Sequence, residues 1–135
     1  LSGEPALQGN GSQAAVSTPN NAAITGDFTF VVALRTASVT TGSYQTIARW
    51  DSNGAGLFLM PSAAKFQFYD PNAGTSSSLS NTTTITANTE YVVAVTYNAT
   101  TGGKVFYLNG AADGSATQSF TVPAAPLRLF SDNSS

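Results

Sequence analysis

Apolar and polar positions along this chain alternate with a period of two wherever the pattern is long enough to read. That is the mark of strands with one face on a core and the other in water. In 27–36, Phe28, Phe30, Val32 and Leu34 fall on one side, with Thr29, Val31, Ala33 and Arg35 on the other. The run 90–98 is clearer: Tyr91, Val93, Val95 and Tyr97 alternate with Val92, Ala94 and Thr96, so the bulkier set is expected to face the core. Shorter runs of the same kind lie at 44–50, 56–60, 65–70, 104–108, 118–122 and 127–130, each bounded by Gly, Pro, Asn, Asp or Ser. Helical spacing is not sustained anywhere without Gly, Pro or dense β-branching, so no helix is predicted.

The punctuation between these runs agrees with an all-β chain. Asp51-Ser52-Asn53-Gly54, Asp70-Pro71-Asn72-Ala73-Gly74, Thr101-Gly102-Gly103 and Asn109-Gly110 supply the residues that tight reversals need. Residues 100–103 read as the loop of a hairpin between the 91–98 and 104–108 strands. Residues 76–86 are rich in Ser and Thr, yet Leu79 and Ile85 mark a solvent-facing edge strand there. With no domain boundary and no internal repeat, residues 1–135 read as a single domain.

Composition narrows the function. Only 9% of the 135 residues are charged, with net charge −2, whereas 16 Ser, 18 Thr and 10 Asn make the surface polar without charge. The five basic residues, Arg35, Arg49, Lys65, Lys104 and Arg128, are scattered, which excludes the clustered footprint that nucleic acid requires. His and Cys are both absent, removing thiol nucleophiles, disulfides, the usual zinc ligands and every His-based triad. No stretch is long and apolar enough to insert in a membrane. Asn10, Asn81, Asn98 and Asn133 each begin an N-x-S/T triplet, a frequency that the Ser and Thr content produces by chance.

Three segments carry a resemblance to a known family. "GDFTFVVALRT", "YQTIARWDSNGAGLFLM" and above all "TITANTEYVVAVTYNATTGGKVFYLNGAADGSAT" are similar to successive core strands of laminin-G-like, concanavalin-A-like jelly rolls. "LQGNGSQAAVSTPNNAAI" resembles that family's first strand. The resemblance implies a two-sheet antiparallel jelly-roll sandwich. Glu90 stands where the family tends to place an aromatic residue. A second departure is that family members usually continue past the strand matched by "PLRLF" into a closing strand. An open edge is therefore expected against 127–130, completed by further residues, another copy or a partner chain.

Some members of this family hydrolyse glucans with carboxylates at alternating positions of one strand, which share a face about 5 Å apart. Here the two glutamates, Glu4 and Glu90, are separated by most of the chain, and Asp27, Asp51, Asp70, Asp113 and Asp132 stand singly, so no enzyme is expected. Relatives also bind calcium at loop tips. Asp51 with Asn53, Asp70 with Asn72, and Asp132 with Asn133 have suitable oxygen donors, although the same residues are what tight turns prefer. No metal is assigned. Glycan recognition uses a ring against a sugar's apolar face, with amides and carboxylates on its hydroxyls. Trp50 beside Asp51 and Asn53, and Tyr69 beside Asp70 and Asn72, juxtapose those groups. For Trp50 packing within the sandwich is the favoured reading, while the parity of Phe66 and Phe68 leaves Gln67 and Tyr69 outside. The expectation is a non-catalytic surface recognition module for glycans or a protein surface, extracellular or on a virion. The alternative is a structural virion protein, a phage capsid decoration or tail-fibre domain, working through assembly contacts as a homo-oligomer.

Overall fold

The structure is a computed structural model, and it describes residues 16–19, 22–40, 42–50, 54–60, 62–71, 78–122 and 124–130. Ten strands occur among them: β1 (Val16–Ser17), β2 (Phe28–Arg35), β3 (Gln45–Trp50), β4 (Gly56–Met60), β5 (Lys65–Tyr69), β6 (Leu79–Ser80), β7 (Glu90–Asn98), β8 (Gly103–Leu108), β9 (Ala111–Thr117) and β10 (Leu127–Leu129). They form a six-stranded sheet in the order β1-β10-β3-β4-β5-β6 and a four-stranded sheet in the order β2-β7-β8-β9. The paired strands are antiparallel throughout.

The period-two faces meet between the sheets. Val93, Val95 and Phe106 from the four-stranded sheet and Leu57, Phe66 and Phe68 from the other have no exposed surface. Phe120 closes one end, its ring among Phe28, Phe68 and Tyr97 at 5.2–6.2 Å between centroids. Its backbone N–H donates to the Tyr97 hydroxyl at 3.0 Å, so a residue outside any strand is held in the core by a bond as well as by packing.

The structure departs from the sequence pattern in three places. Residues 118–122, expected as a strand, contribute a single bridge between Val122 and Ile24, while the edge strand is β9. Its sequence, AADGSAT, has almost no apolar contrast for a periodicity to detect. The edge strand expected over 76–86 shrinks to β6, and Leu79 and Ile85 face the core at 3% and 2% exposure rather than solvent. The open edge expected at 127–130 does not exist: β10 pairs with β3 on one side and β1 on the other. The N-terminal strand takes the place that the resemblance left vacant.

Candidate functional site

The third strand decides what reaches the surface of the six-stranded sheet. A strict alternation along 44–50 would put Tyr44 and Trp50 on one face. Instead the register between β3 and β4 shifts between Thr46 and Ala48, a bulge that inserts one residue. Thr46 pairs with Phe58, while Arg49 pairs with Gly56 and Trp50 turns inward to 6% exposure, edge-on to Phe30 and Phe68. Gly56 makes the close approach possible, since a Cβ there would lie 2.1 Å from the carbonyl oxygen of Ala48.

On the outer face the same strands build a row of rings. Phe58 lies between Leu57 and Leu59, both in the core, so its own side chain points the other way, and yet it is only 5% exposed. Tyr44 and Tyr69 meet it edge-on at 6.3 Å and 6.2 Å. Tyr44 is 44% exposed and Tyr69 half-buried. Gln67 and Thr46 flank Phe58 in the adjoining strands. The next rung is Arg49, Gly56 and Tyr69, continued by Arg128, which lies opposite Arg49. Gly56 is itself buried, and the place of its missing side chain is taken by the backbone of β3, so the rung sets a guanidinium and a phenol on either side of a closed glycine. The Thr46 hydroxyl is buried with no hydrogen-bond partner among the described residues, a position where a polar group usually has one. Rings, an amide, a hydroxyl and a guanidinium thus share one sheet face.

Of the six residues singled out in the sequence, Tyr69 is on this face. Trp50 belongs to the core, because the bulge reverses its parity. Asp70 is 1% exposed and also lies inside. Burial holds the Lys104 ammonium below its usual pKa, and the charge of Asp70 pulls the other way. Lys104 is itself 1% exposed and lies 5.5 Å from the centre of the Phe120 ring. Asp70 is therefore engaged within the sandwich instead of reaching a loop-tip ligand. Asp51, Asn53 and Asn72 lie outside the described residues, as do Asp132 and Asn133. Topology still relates the two loops: the β3–β4 and β5–β6 connections leave the sheet at the same end, next to the Arg49–Gly56–Tyr69 rung. Sequence reasoning missed Tyr44, Phe58, Gln67 and Arg49. The signal was present in the alternation of GLFLM, where Phe58 is a bulky residue on the side opposite Leu57 and Leu59.

The remaining acids are elsewhere. The Asp113 carboxylate accepts hydrogen bonds from the Asn81 amide, the Thr83 backbone N–H and both threonine hydroxyls of Thr82 and Thr83. Partial burial works against its charge, but the bonds from Thr82, Asn81 and Thr83 prevail and hold its pKa down at about 2. Asn81 is 1% exposed, and its side chain accepts from the Phe66 N–H and donates to the Thr83 carbonyl, so the asparagine of this N-x-T triplet is part of the interior while its threonines are exposed. Among the described residues, no three acidic, His or Cys side chains are grouped to hold a metal, and no helix is long and apolar enough to cross a membrane.

Two antiparallel sheets packed face to face, with the first and last strands side by side, define a jelly-roll sandwich of the concanavalin A-like kind. The chain belongs to the concanavalin A-like lectin/glucanases superfamily, whose laminin G-type family model matches residues 9–135. Among solved structures, mouse laminin alpha1 chain, domains LG4-5, is similar with a TM-score of 0.55 at 14% identity, the match covering 82% of this chain and 32% of that one. At that identity the likeness speaks for the fold alone. A search of curated proteins finds no match.

Proposed function

We propose that the chain is a non-catalytic recognition module that binds a saccharide on the outer face of its six-stranded sheet and works outside the cell. The observation that carries this reading is the row Tyr44–Phe58–Tyr69 beside the Arg49–Gly56–Tyr69 rung. Phe58 fixes the two phenols edge-on, and both rings keep part of their surface in water for a sugar ring to lie against. Gln67 and the Arg49 guanidinium, both partly exposed, supply donors and acceptors for sugar hydroxyls. Asp51, Asn53 and Asn72, in the two loops leaving that end, would extend the contact, and with their oxygens calcium remains a candidate at the same rim. The non-catalytic part of the reading is supported by the acids: Asp70 faces Lys104, and the Asp113 oxygens are occupied by Asn81, Thr82 and Thr83.

The test is a glycan array followed by calorimetry on the best ligand, with and without calcium. Saturable binding that Tyr69→Ala and Tyr44→Ala each weaken supports the reading; binding indifferent to both removes this face from it. A structural role in a virion is the second reading, favoured by the long edge of the four-stranded sheet, which no strand covers among the described residues. Particle association without any sugar response would select it.

A further inference from the structure

The four sheet edges differ sharply. β1 and β6 are two residues long, and β9 is broken by a register shift at Val105/Tyr107, with its Asp113 carbonyl accepting from Thr82 N–H at 2.7 Å. Short, bulged or covered edges resist pairing with another chain. β2 has none of these defences. It pairs with β7 over eight residues without a shift, contains no Pro, and carries one charge, Arg35, at its last position. Among the described residues no strand lies on its other side, where every second residue directs its N–H and C=O away from β7. The interior is also thinnest here. Phe28, Phe30 and Val32 point at the core yet remain only partly buried, and Val31 on the outer face is 60% exposed.

We infer that β2 pairs antiparallel with β2 of a second copy about a two-fold axis through Val31, joining two four-stranded sheets into one of eight. Directly opposed residues of an antiparallel pair point to the same face, so the axis must keep Phe28, Phe30, Val32 and Leu34 on the core side. Centring it on Val31 does so, placing Phe30 against the partner's Val32 and Phe28 against the partner's Leu34. The two interiors then become continuous. On the outer face the same register sets Thr29 against the partner's Ala33, and Asp27 against the partner's Arg35, once on each side of the axis. The Asp27 Oδ1 accepts from the Ala99 N–H at 2.7 Å, so its second carboxylate oxygen is the one toward the partner's Arg35, which lies opposite Glu90 in its own sheet. Moving the axis to Val32 keeps the faces but sets Arg35 against Thr29 and loses both charge pairs. Burial fixes the parity, and charge selects the first register. This surface lies on the opposite sheet from the saccharide face, so a dimer would present two such faces and gain avidity.

The test is sedimentation of the 135-residue chain together with cysteine cross-linking, which the absence of native Cys makes clean. The expected result is a dimer that Val31→Lys converts to monomer, because two lysines would meet on the axis; Val31 is exposed, so folding is retained. Val31→Cys should cross-link to itself on mild oxidation while Thr29→Cys alone does not, and a mixture of Thr29→Cys with Ala33→Cys should yield the mixed dimer. A chain that stays monomeric at every concentration, a dimer that Val31→Lys leaves intact, or a Val31→Cys that oxidises no faster than Thr29→Cys overturns the proposal. None of these outcomes depends on sugar binding, so the two readings fail separately.

Discussion

The two sheets of the sandwich obey the same alternation to different degrees. In the four-stranded sheet the β2–β7 and β7–β8 registers run unbroken, the one shift falls in the edge pair β8–β9, and the outward set, including Val31 and Val92, stays in contact with water. In the six-stranded sheet a bulge shifts β3, a glycine admits it, and the outward-facing Phe58 is as buried as a core residue. Where alternation is intact, the sheet is a scaffold with one dry face. Where it is interrupted, side chains gather on the second face, and the chemistry suited to recognition is found there.

Aspartate at neighbouring positions of β7 gives the largest contrast. Val93 has no exposed surface, and Val93→Asp leaves an unpaired charge at the centre of the interior, an expected loss of about 4 kcal/mol, a large share of the stability of an ordinary domain. Val92 is 48% exposed, and Val92→Asp should change stability by about 0.5 kcal/mol or less. Urea denaturation of the two variants reads the difference directly; similar midpoints would mean that the faces of β7 are not as described.

The six-stranded sheet should respond to truncation on its outer face as a core does. Phe58→Ala is expected to cost about 3 kcal/mol, in line with a buried phenylalanine. A cost near that of a surface residue would mean that the ring is wet and the row does not exist. Gly56→Ala comes next at roughly 2 kcal/mol, because its Cβ collides with the backbone of β3, whereas Gly26→Ala meets nothing within 4 Å and should be neutral or slightly stabilising. Equal effects at the two glycines would deny the close approach that the bulge requires.

Much of the scaffold was legible because period two is a local property. Phe28–Leu34 and Tyr91–Tyr97 declare their inward sets without any knowledge of their partners. The bulge at β3 was not legible, since it depends on how β4 pairs, and one inserted residue was enough to send Trp50 inward and separate it from Tyr44. β9 escaped notice for the opposite reason: an edge strand of Ala, Gly, Ser and Asp is held by its backbone ladder to β8 and by Asp113, neither of which leaves an apolar pattern. Asp70 shows a third limit. A carboxylate after a strand and before a proline looks like a turn residue, and only the proximity of Lys104 from the other sheet explains its burial.

A smaller effect follows from Asp113. Its pKa of about 2 in the folded state lies below the roughly 4 of an unfolded aspartate, so the unfolded chain binds the proton first as the pH falls. The bonds to Asn81, Thr82 and Thr83 therefore add stability that is fully present above about pH 4 and is lost toward pH 2. Thermal melts between those limits should fall less steeply for Asp113→Asn than for the parent, and parallel slopes would show that the carboxylate is not held as described. This links the edge of the four-stranded sheet to the 81–83 segment that follows β6, so the variant also tests how far that edge is pinned.

Tyr69→Ala should disturb the fold least and the proposed function most. Its ring is half-buried and contributes one edge-on contact with Phe58, worth about 1 kcal/mol beyond its area, so the melting profile should shift only modestly. If a sugar ring lies against Tyr69, removing the phenol takes away a contact of similar size, an expected weakening of roughly tenfold in affinity. Tyr107, half-buried on the outer face of the other sheet, serves as the control, since Tyr107→Ala removes a ring of equal size from the scaffold side. Loss of binding in both variants would place the effect in general destabilisation, whereas loss in Tyr69→Ala alone assigns recognition to the sheet whose alternation is broken.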